Sequence, residues 1–556
     1  MSESEDRMLE ILRILNEQEK PTGSKFIADE LKNKGFNLGE RAVRYHMKML
    51  DEKGYTERIG YSGRQITELG RATLEKGIVY DQVDFIYSKF EEMIYLTDFT
   101  YINQSGNVVV NTSTIYNEES LNIIKSIFES GLSVSPYSKI NKDGNEGTEI
   151  KTICGTTIDG ILLKEGIITI PKYGGLVKIE DYSPVEFSEI ISYRKTSISP
   201  LDAFIAPKTT SVLDVIDNGC GIIPANFRLI PKAGYEKAMK IINDLSKIGI
   251  NGVIGVNDEN NLLGIPIPKN MVGITIIGGV TPFCGLQELG YEVDIKIAEE
   301  IENFKNLKPI TNIKPILKEN THSRTNLVSF LLSKSWNLIQ KVNFDIETRK
   351  GDIIANVSYI KKDNLDEALN IMKSSYDLNK KYINPYYKIV NHPHDSSKIG
   401  IATICSLSID GILIKNRTMS NPKYGGLLEL SETPAFLDLI SYSGSTLDPH
   451  IIFLAKNKTS IMNDEPRKLL ASLKELPYVS IEYSTELLDT LKKIGFSIYK
   501  IGKPREVVYN AKIDNYNFGV VAGSGLNSIA AIKEKGIDIE IKAIEKLMAF
   551  EEMDRL

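Results

Sequence analysis

Two stretches of the chain set a cation, an aromatic hydroxyl and paired glycines side by side: Lys172-Tyr173-Gly174-Gly175 and Lys423-Tyr424-Gly425-Gly426, each preceded by proline. That combination suits a carboxylate ligand, because the ammonium supplies charge, the phenol a donor, and the glycines let backbone N–H groups come close. Thr209 and Thr210, matched in part by Thr459-Ser460, add hydroxyl donors. Gly278-Gly279 and Gly523-Ser524-Gly525 lie between strand and helix patterns and would aim a helix N-terminus at an anion. The plainer reading of all these glycines is a set of tight turns. A second constellation is cationic: Arg41, Arg44, Tyr45 and Lys48 recur at i, i+3, i+4 and i+7, which places them on one helix face. Guanidinium forks fit O6 and N7 of guanine, and Lys48 fits a phosphate.

Residues able to do covalent chemistry are harder to assemble. Catalysis needs a nucleophile, a tuned base and an orienting group. Cys154 and Cys405 recur at matching places, but each opens an apolar run with neither His nor Lys beside it, the setting of a packing thiol. Of the five histidines, His322, His392, His394 and His450 have no counterpart earlier in the chain, and His392-Pro393-His394-Asp395 reads as an exposed polar loop rather than a metal site. Four widely spaced cysteines without a CxxC pair provide no disulfide framework and no zinc knuckle. No cofactor is expected, and enzyme is the minority reading.

The elements that would hold the cationic face follow from periodicity. Met8, Ile11, Leu12 and Leu15 line one side of a first helix that ends before Pro21. Ser24 can cap a second helix with Ile27 and Leu31 inward, closed at Gly35, and Phe36-Asn37-Leu38-Gly39 makes a tight connection. The third helix, from about Glu40 to Lys53, turns Val43, Met47 and Leu50 inward, with His46 beside them as a packing residue. Beyond Gly54 a short hairpin with Gly60 and Gly63 forms a wing whose tip offers Arg64 to a groove or to the backbone, and Thr67 caps a last helix through Leu74. Between Lys20 and Lys76 there are twelve Lys or Arg against eight Asp or Glu, whereas the whole chain carries a net charge of -6. The basic charge is concentrated in this segment, as a local contact with nucleic acid requires.

The rest of the chain is one module written twice. Residues 154–175 read CGTTIDGILLKEGIITIPKYGG and residues 405–426 read CSLSIDGILIKNRTMSNPKYGG. Asp159 and Asp410, Lys164 and Lys415, and both PKYGG blocks coincide at an offset of 251 without a gap. The match continues at Ile191-Ser192-Tyr193 with Ile440-Ser441-Tyr442, although Arg194-Lys195 has become Ser443-Gly444. Two copies of more than 200 residues are a tandem duplication rather than a solenoid. The expected organisation is a winged helix-turn-helix over 1–76 and regulatory copies over 77–310 and 325–556, joined by a proline-containing linker near 306–325. Val79, Val83, Ile86 and Phe90 suggest a packed helical arm between winged helix and first copy.

Short β-rich runs (152–161, 167–170, 252–256, 273–277, 291–297) alternate with helical ones (185–193, 236–247, 282–289), which suits an α+β fold with ferredoxin-like split βαβ units. A doubly wound parallel sheet is the second choice. At 556 residues, with 42% apolar and 25% charged residues, the chain is ordinary globular protein of several domains. No run approaches the roughly 20 apolar residues of a membrane span, and the N-terminus is acidic where a signal peptide would be basic, so a cytoplasmic protein without a membrane partner is expected.

GERAVRYHMKMLDEKGYTE followed by two IDGILxK and PKYGG modules resembles the archaeal nitrogen-regulatory repressor family NrpR over essentially the full chain, in its arrangement of one DNA-binding and two regulatory domains. Gly39 departs from the serine that would make the better helix cap. The resemblance implies a transcriptional repressor of nitrogen-fixation and nitrogen-assimilation genes that binds palindromic operator DNA as a homodimer and is released by 2-oxoglutarate. On that expectation Arg41, Arg44, Tyr45, Lys48 and Arg64 face DNA, and Lys172 to Gly175, Thr209, Thr210 and Lys423 to Gly426 face the effector. The alternatives are a metabolic enzyme with an attached winged helix and a regulator that answers to another small molecule.

Overall fold

The computed structural model describes residues 3–16, 18, 20–33, 38–60, 62–71, 79–117, 119–143, 147–206, 209–318, 327–462, 466–504, 506–514 and 516–556. The expectations for Gly35, Phe36, Asn37, Leu74, His322 and the side chains of Val79 and Val83 lie outside the described residues. The chain divides into two units. One holds 1–81, 338–438 and 459–556; the other holds 82–337 together with 439–458.

In the first unit, α1 (Glu3–Asn16), α2 (Ser24–Asn33) and α3 (Glu40–Glu52) precede a two-stranded wing of β1 (Thr56–Ile59) and β2 (Gly63–Ile66). Ile11, Leu12, Leu15, Ile27, Leu31, Val43, Met47, Leu50 and Ile66 form its core, the residues that helical spacing turns inward. Gly63 has a φ of +123°, and a Cβ there would sit 2.3 Å from the Thr22 carbonyl oxygen. Only glycine therefore lets the wing close against Thr22, which exchanges backbone hydrogen bonds of 2.9 and 3.0 Å with Arg64. The Thr67 hydroxyl accepts from Gly70 N–H at 3.0 Å and caps the helix that begins at Glu68.

Each regulatory repeat contains two five-stranded sheets whose pairings are antiparallel. In the first repeat one sheet runs Val293–Asn303, Asn107–Ile115, Gly147–Ile153, Tyr137–Asp143 and a short Lys308–Pro309. The other runs Ser183–Ser192, Ile170–Glu180, Gly221–Pro231, Met271–Ile277 and Val253–Asn257. Each sheet has the strand order of a βαββαβ unit, with one exchange. After the helix Thr156–Lys164 the chain leaves for the second sheet as Ile170–Glu180, and after the helix Thr281–Glu288 it returns to the first as Val293–Asn303. The two halves of a repeat thus trade their last strands, and the second repeat has the same order in both of its sheets. The fold is α+β with ferredoxin-like layering; the doubly wound parallel alternative falls with the antiparallel pairing.

Three local expectations are corrected. Residues 167–169 are not strand, and the strand there begins only at Ile170. The run 152–161 is not one strand: Gly147–Ile153 is strand, and TTIDGILLK is the helix Thr156–Lys164, buried from Thr156 through Leu162. A helix covered on every side loses its amphipathic period and reads like a buried strand. Residues 185–193 are not a helix but most of the strand Ser183–Ser192, whose alternation is broken by register shifts against Ile170–Glu180.

Candidate functional sites

On α3 the core-facing residues fix the outward side: Arg41, Arg44, Tyr45 and Lys48 are all exposed, Tyr45 at 63%. They are not equally available. Arg44 is held by Glu40 at 2.5 Å and donates to the Ser24 hydroxyl at 3.1 Å, while Ser24 donates to Glu40 at 3.0 Å. Ser24 therefore ties α2 to α3 besides standing at the start of its helix. The Arg44 guanidinium beside Glu40 holds that carboxyl below its ordinary value, with the Ser24 hydroxyl adding to it. Lys48 pairs loosely with Glu52 at 3.6 Å. His46 is buried, and burial pushes its imidazole down from the usual value, as a packing residue requires.

Arg64 does not stand at the tip of the wing. It lies in β2, and its Nε donates to both Asp51 carboxylate oxygens at 3.0 and 2.7 Å, so a part-buried ion pair locks wing to α3. The residue opposite, Arg58, is exposed, and its Nε donates to the Gly60 carbonyl at 3.1 Å. Arg58 was missed in the sequence; centring the hairpin on Gly60 and Gly63 would have found it.

The PKYGG segments are not loops. Residues 171–175 lie in the strand Ile170–Glu180 and 422–426 in Asn421–Leu430, each at an inner position of its sheet and each with a register shift at the lysine. The glycines answer to close packing: a Cβ on Gly174 would lie 2.7 Å from Pro200, and one on Gly175 would lie 2.2 Å from the Glu189 carbonyl oxygen. Lys172 makes no ion pair with a described residue, whereas Lys423 donates to Glu475 at 2.6 Å and Asp514 at 2.7 Å. Burial works against the Lys423 ammonium, but these two carboxylates raise its pKa above the ordinary value. Tyr173 packs against Phe227 and Phe330, with its phenol pushed up by burial, and Tyr424 is buried.

The threonine hydroxyls are already engaged. Thr209 donates to the carbonyls of Phe204 and Ala206, and Thr210 donates to Glu288 at 2.6 Å. Glu288 also accepts from Val212 and Leu213 N–H, so the protein's own carboxylate occupies the N-terminus of the helix Val212–Asn218. In the second repeat Glu534 accepts from the N–H groups of Ile461 and Met462. Gly279 and Gly525 are explained by contact, since a Cβ would lie 2.4 Å from Ile153 O and 2.0 Å from Ile404 O respectively.

The sequence did not reveal a pair of charges buried in each repeat. Arg228 meets Asp159 at 2.6 Å and also donates to Gly155 O at 3.2 Å; both side chains are at most 3% exposed. Lys474 donates to Asp410, which accepts from Ser420 at 2.6 Å as well. Burial pushes both aspartyl carboxyls up, and their cationic partners pull against it. The matched aspartates were visible as a motif, but nothing in the spacing named their partners. Beside the first pair, Tyr193 donates to Asn226 at 2.5 Å, and the Cys154 thiol is pushed up by burial, an inert setting for a nucleophile. In the HPHD loop, the His392 ring nitrogen accepts from the N–H groups of His394 and Asp395.

Known proteins match this arrangement. The model of the NrpR regulatory domains NRD1 and 2 fits residues 83–309 and again 328–555, and that of the ribonuclease R winged-helix domain fits 9–74. The global nitrogen regulator NrpR of Methanococcus maripaludis is 37% identical over 98% of both chains, and that of Methanocaldococcus jannaschii is 37% identical over all of this chain and 98% of its own. The crystal structure of a nitrogen repressor-like protein from Methanococcus jannaschii covers 41% of this chain and 99% of its own at 34% identity, with a TM-score of 0.37. With a winged helix, two matching regulatory domains and relatives that are regulators rather than enzymes, the chain belongs to the NrpR family of nitrogen regulators.

Proposed function

We propose that this regulator is a transcriptional repressor of nitrogen-fixation and nitrogen-assimilation genes, acting in the cytoplasm. It binds palindromic operator DNA as a homodimer and is released by 2-oxoglutarate. The observation that carries the DNA half is the outer face of α3, where Arg41, Tyr45 and Lys48 are exposed on a helix whose opposite face is packed into a winged-helix core. The relatives' name supplies the nitrogen response. A dimer presents two such helices, and palindromic half-sites one helical turn apart, roughly 34 Å, or a multiple of it, set the geometry. An effector that favours a different arrangement of the regulatory repeats shifts the population away from that spacing. Lys172 with Tyr173 is the proposed effector contact in the first repeat, because its ammonium has no ion-pair partner among the described residues. Lys423 with Tyr424 is the weaker counterpart, its charge being already balanced.

The test is binding of the purified protein to an operator fragment at fixed salt, titrated with 2-oxoglutarate and with glutarate as control, since phosphate contacts make affinity salt-dependent. Release by 2-oxoglutarate alone supports the reading. Operator binding indifferent to it removes the effector, and absence of specific binding removes the repressor.

A further inference from the structure

Two segments at matching positions of the repeats, 190–197 and 439–446, meet inside the unit that holds 82–337 and 439–458. Ile191 bridges Ser445, and Thr196 bridges Ile440. At the repeat offset of 249, Ile440 is the counterpart of Ile191 and Ser445 that of Thr196, so each bridge is the twofold image of the other. The hydrogen bonds follow the same symmetry. Ser197 N–H donates to Leu439 O at 2.9 Å, and its image, Thr446 N–H, donates to Ile190 O at 3.1 Å. Leu439 N–H donates to the Ser197 hydroxyl and Ile190 N–H to the Thr446 hydroxyl, both at 2.8 Å.

Two side-chain contacts among the described residues depart from the symmetry, and at both the two sides fit each other. Lys195 lies against its own counterpart, Gly444: a Cβ on Gly444 would come within 2.6 Å of Lys195 Cβ, and Lys195 Nζ donates to the Ser443 hydroxyl at 2.9 Å. Asp202 accepts from Lys456 Nζ at 2.8 Å, whereas the counterparts of these residues are Ile451 and Pro207, which cannot form an ion pair. Pairing of a first repeat with another first repeat would set lysine against lysine where glycine is needed and would leave Asp202 without its cation. Specificity of this kind comes from an attractive fit together with a penalty on the wrong partner.

We infer that these segments form a pairing surface of twofold design that joins the first repeat to the second repeat of the same chain and disfavours the pairing of two first repeats. First repeats of two chains therefore do not pair through this surface.

The experiment uses the full chain with its exposed cysteine removed (Cys220→Ser) and with Ile191→Cys and Ser445→Cys. The bonds from Ser192 N–H to Gly444 O and from Thr446 N–H to Ile190 O flank this pair, the non-hydrogen-bonded geometry with Cα atoms about 4.5 Å apart, within reach of a disulfide. Thr196→Cys with Ile440→Cys is the image pair and serves if the first variant does not fold. Mild oxidation with diamide is expected to crosslink each chain internally, leaving the non-reduced protein at the mass of one chain. Adding Lys456→Asp is expected to slow crosslinking about fivefold, the equivalent of about 1 kcal/mol, and Asp202→Lys together with Lys456→Asp to restore it. Gly444→Lys is expected to slow it further, by overlap with Lys195. Crosslinks between chains, folded protein that does not crosslink, interchain crosslinking of an Ile191→Cys and Thr196→Cys chain, or indifference to both Gly444→Lys and Lys456→Asp would each overturn the inference.

Discussion

Arg228 and Asp159 stand 69 positions apart in the sequence and meet at 2.6 Å, with both side chains essentially out of water. Lys474 and Asp410 repeat the pair in the second copy, with both side chains fully buried. The strand carrying the cation and the helix carrying the IDG aspartate are thereby joined at one point of each repeat. A buried charge that loses its partner keeps its desolvation cost and has nothing to offset it. Asp159→Ala is therefore expected to destabilise the first repeat by about 3–5 kcal/mol, and Asp159→Asn with Arg228→Met by much less. Denaturant unfolding of the three proteins measures this, and equal losses in the single and double variants would refute it.

On α3, Arg41 and Lys48 should part company by the kind of contact they make. Arg41→Ala is expected to cost about 1–3 kcal/mol of specific operator binding and to relax preference at one base pair, whereas Lys48→Ala weakens all sequences alike and lowers the salt slope by about 1. Operator titrations over a range of salt distinguish the two. Because Arg44 is tied to Glu40 and Ser24, Arg44→Ala should also loosen the α2–α3 packing, visible as a lower melting temperature.

Arg64→Ala separates a positioning role from a direct one. Loss of its part-buried pair with Asp51 should cost about 1 kcal/mol of winged-helix stability. Asp51→Asn should weaken operator binding to a similar degree if Arg64 acts by holding the wing. Tighter binding by Asp51→Asn would show instead that Arg64, once freed, contacts DNA.

The two lysines of the PKYGG strands should behave differently. Lys172→Ala is expected to leave folding and operator binding intact while raising the effector concentration needed for release. Lys423→Ala leaves Glu475, which is 2% exposed, without its cation and should destabilise the second repeat by about 1–3 kcal/mol. Calorimetry beside an effector titration reads both, and an unchanged effector response in Lys172→Ala would remove that residue from the site.

Acid should weaken the first repeat through Glu302. Burial opposes its charged form, but hydrogen bonds from Lys139 at 2.8 Å and Asn306 at 2.7 Å hold the carboxyl below its ordinary value of 4.5. An acid depressed in the folded state stabilises above its unfolded value and gives that up as pH falls through the folded one. Thermal midpoints should therefore drop below pH of about 4.5 in the parent protein and drop less steeply in Glu302→Gln.

The sequence by itself determined what depends on neighbours within a few turns of chain. Helical spacing gave the winged-helix core and the outward side of α3, because a residue's face on a helix is set by its position in the period. Repetition at offsets of 251 and then 249 revealed the two regulatory copies without any knowledge of their shape. Only the tertiary structure decided which side chains meet across long separations. It made Arg228 the partner of Asp159, turned Arg64 inward to Asp51, gave the Thr210 hydroxyl to Glu288 and placed PKYGG in a strand rather than a loop. It also exchanged the last strands between half-repeats, which the order of elements along the chain does not announce. The physical reason is burial on all sides. Where an element is covered by layers on both faces, the alternation that would reveal its type disappears, and pairing follows from which distant strand supplies the complementary edge.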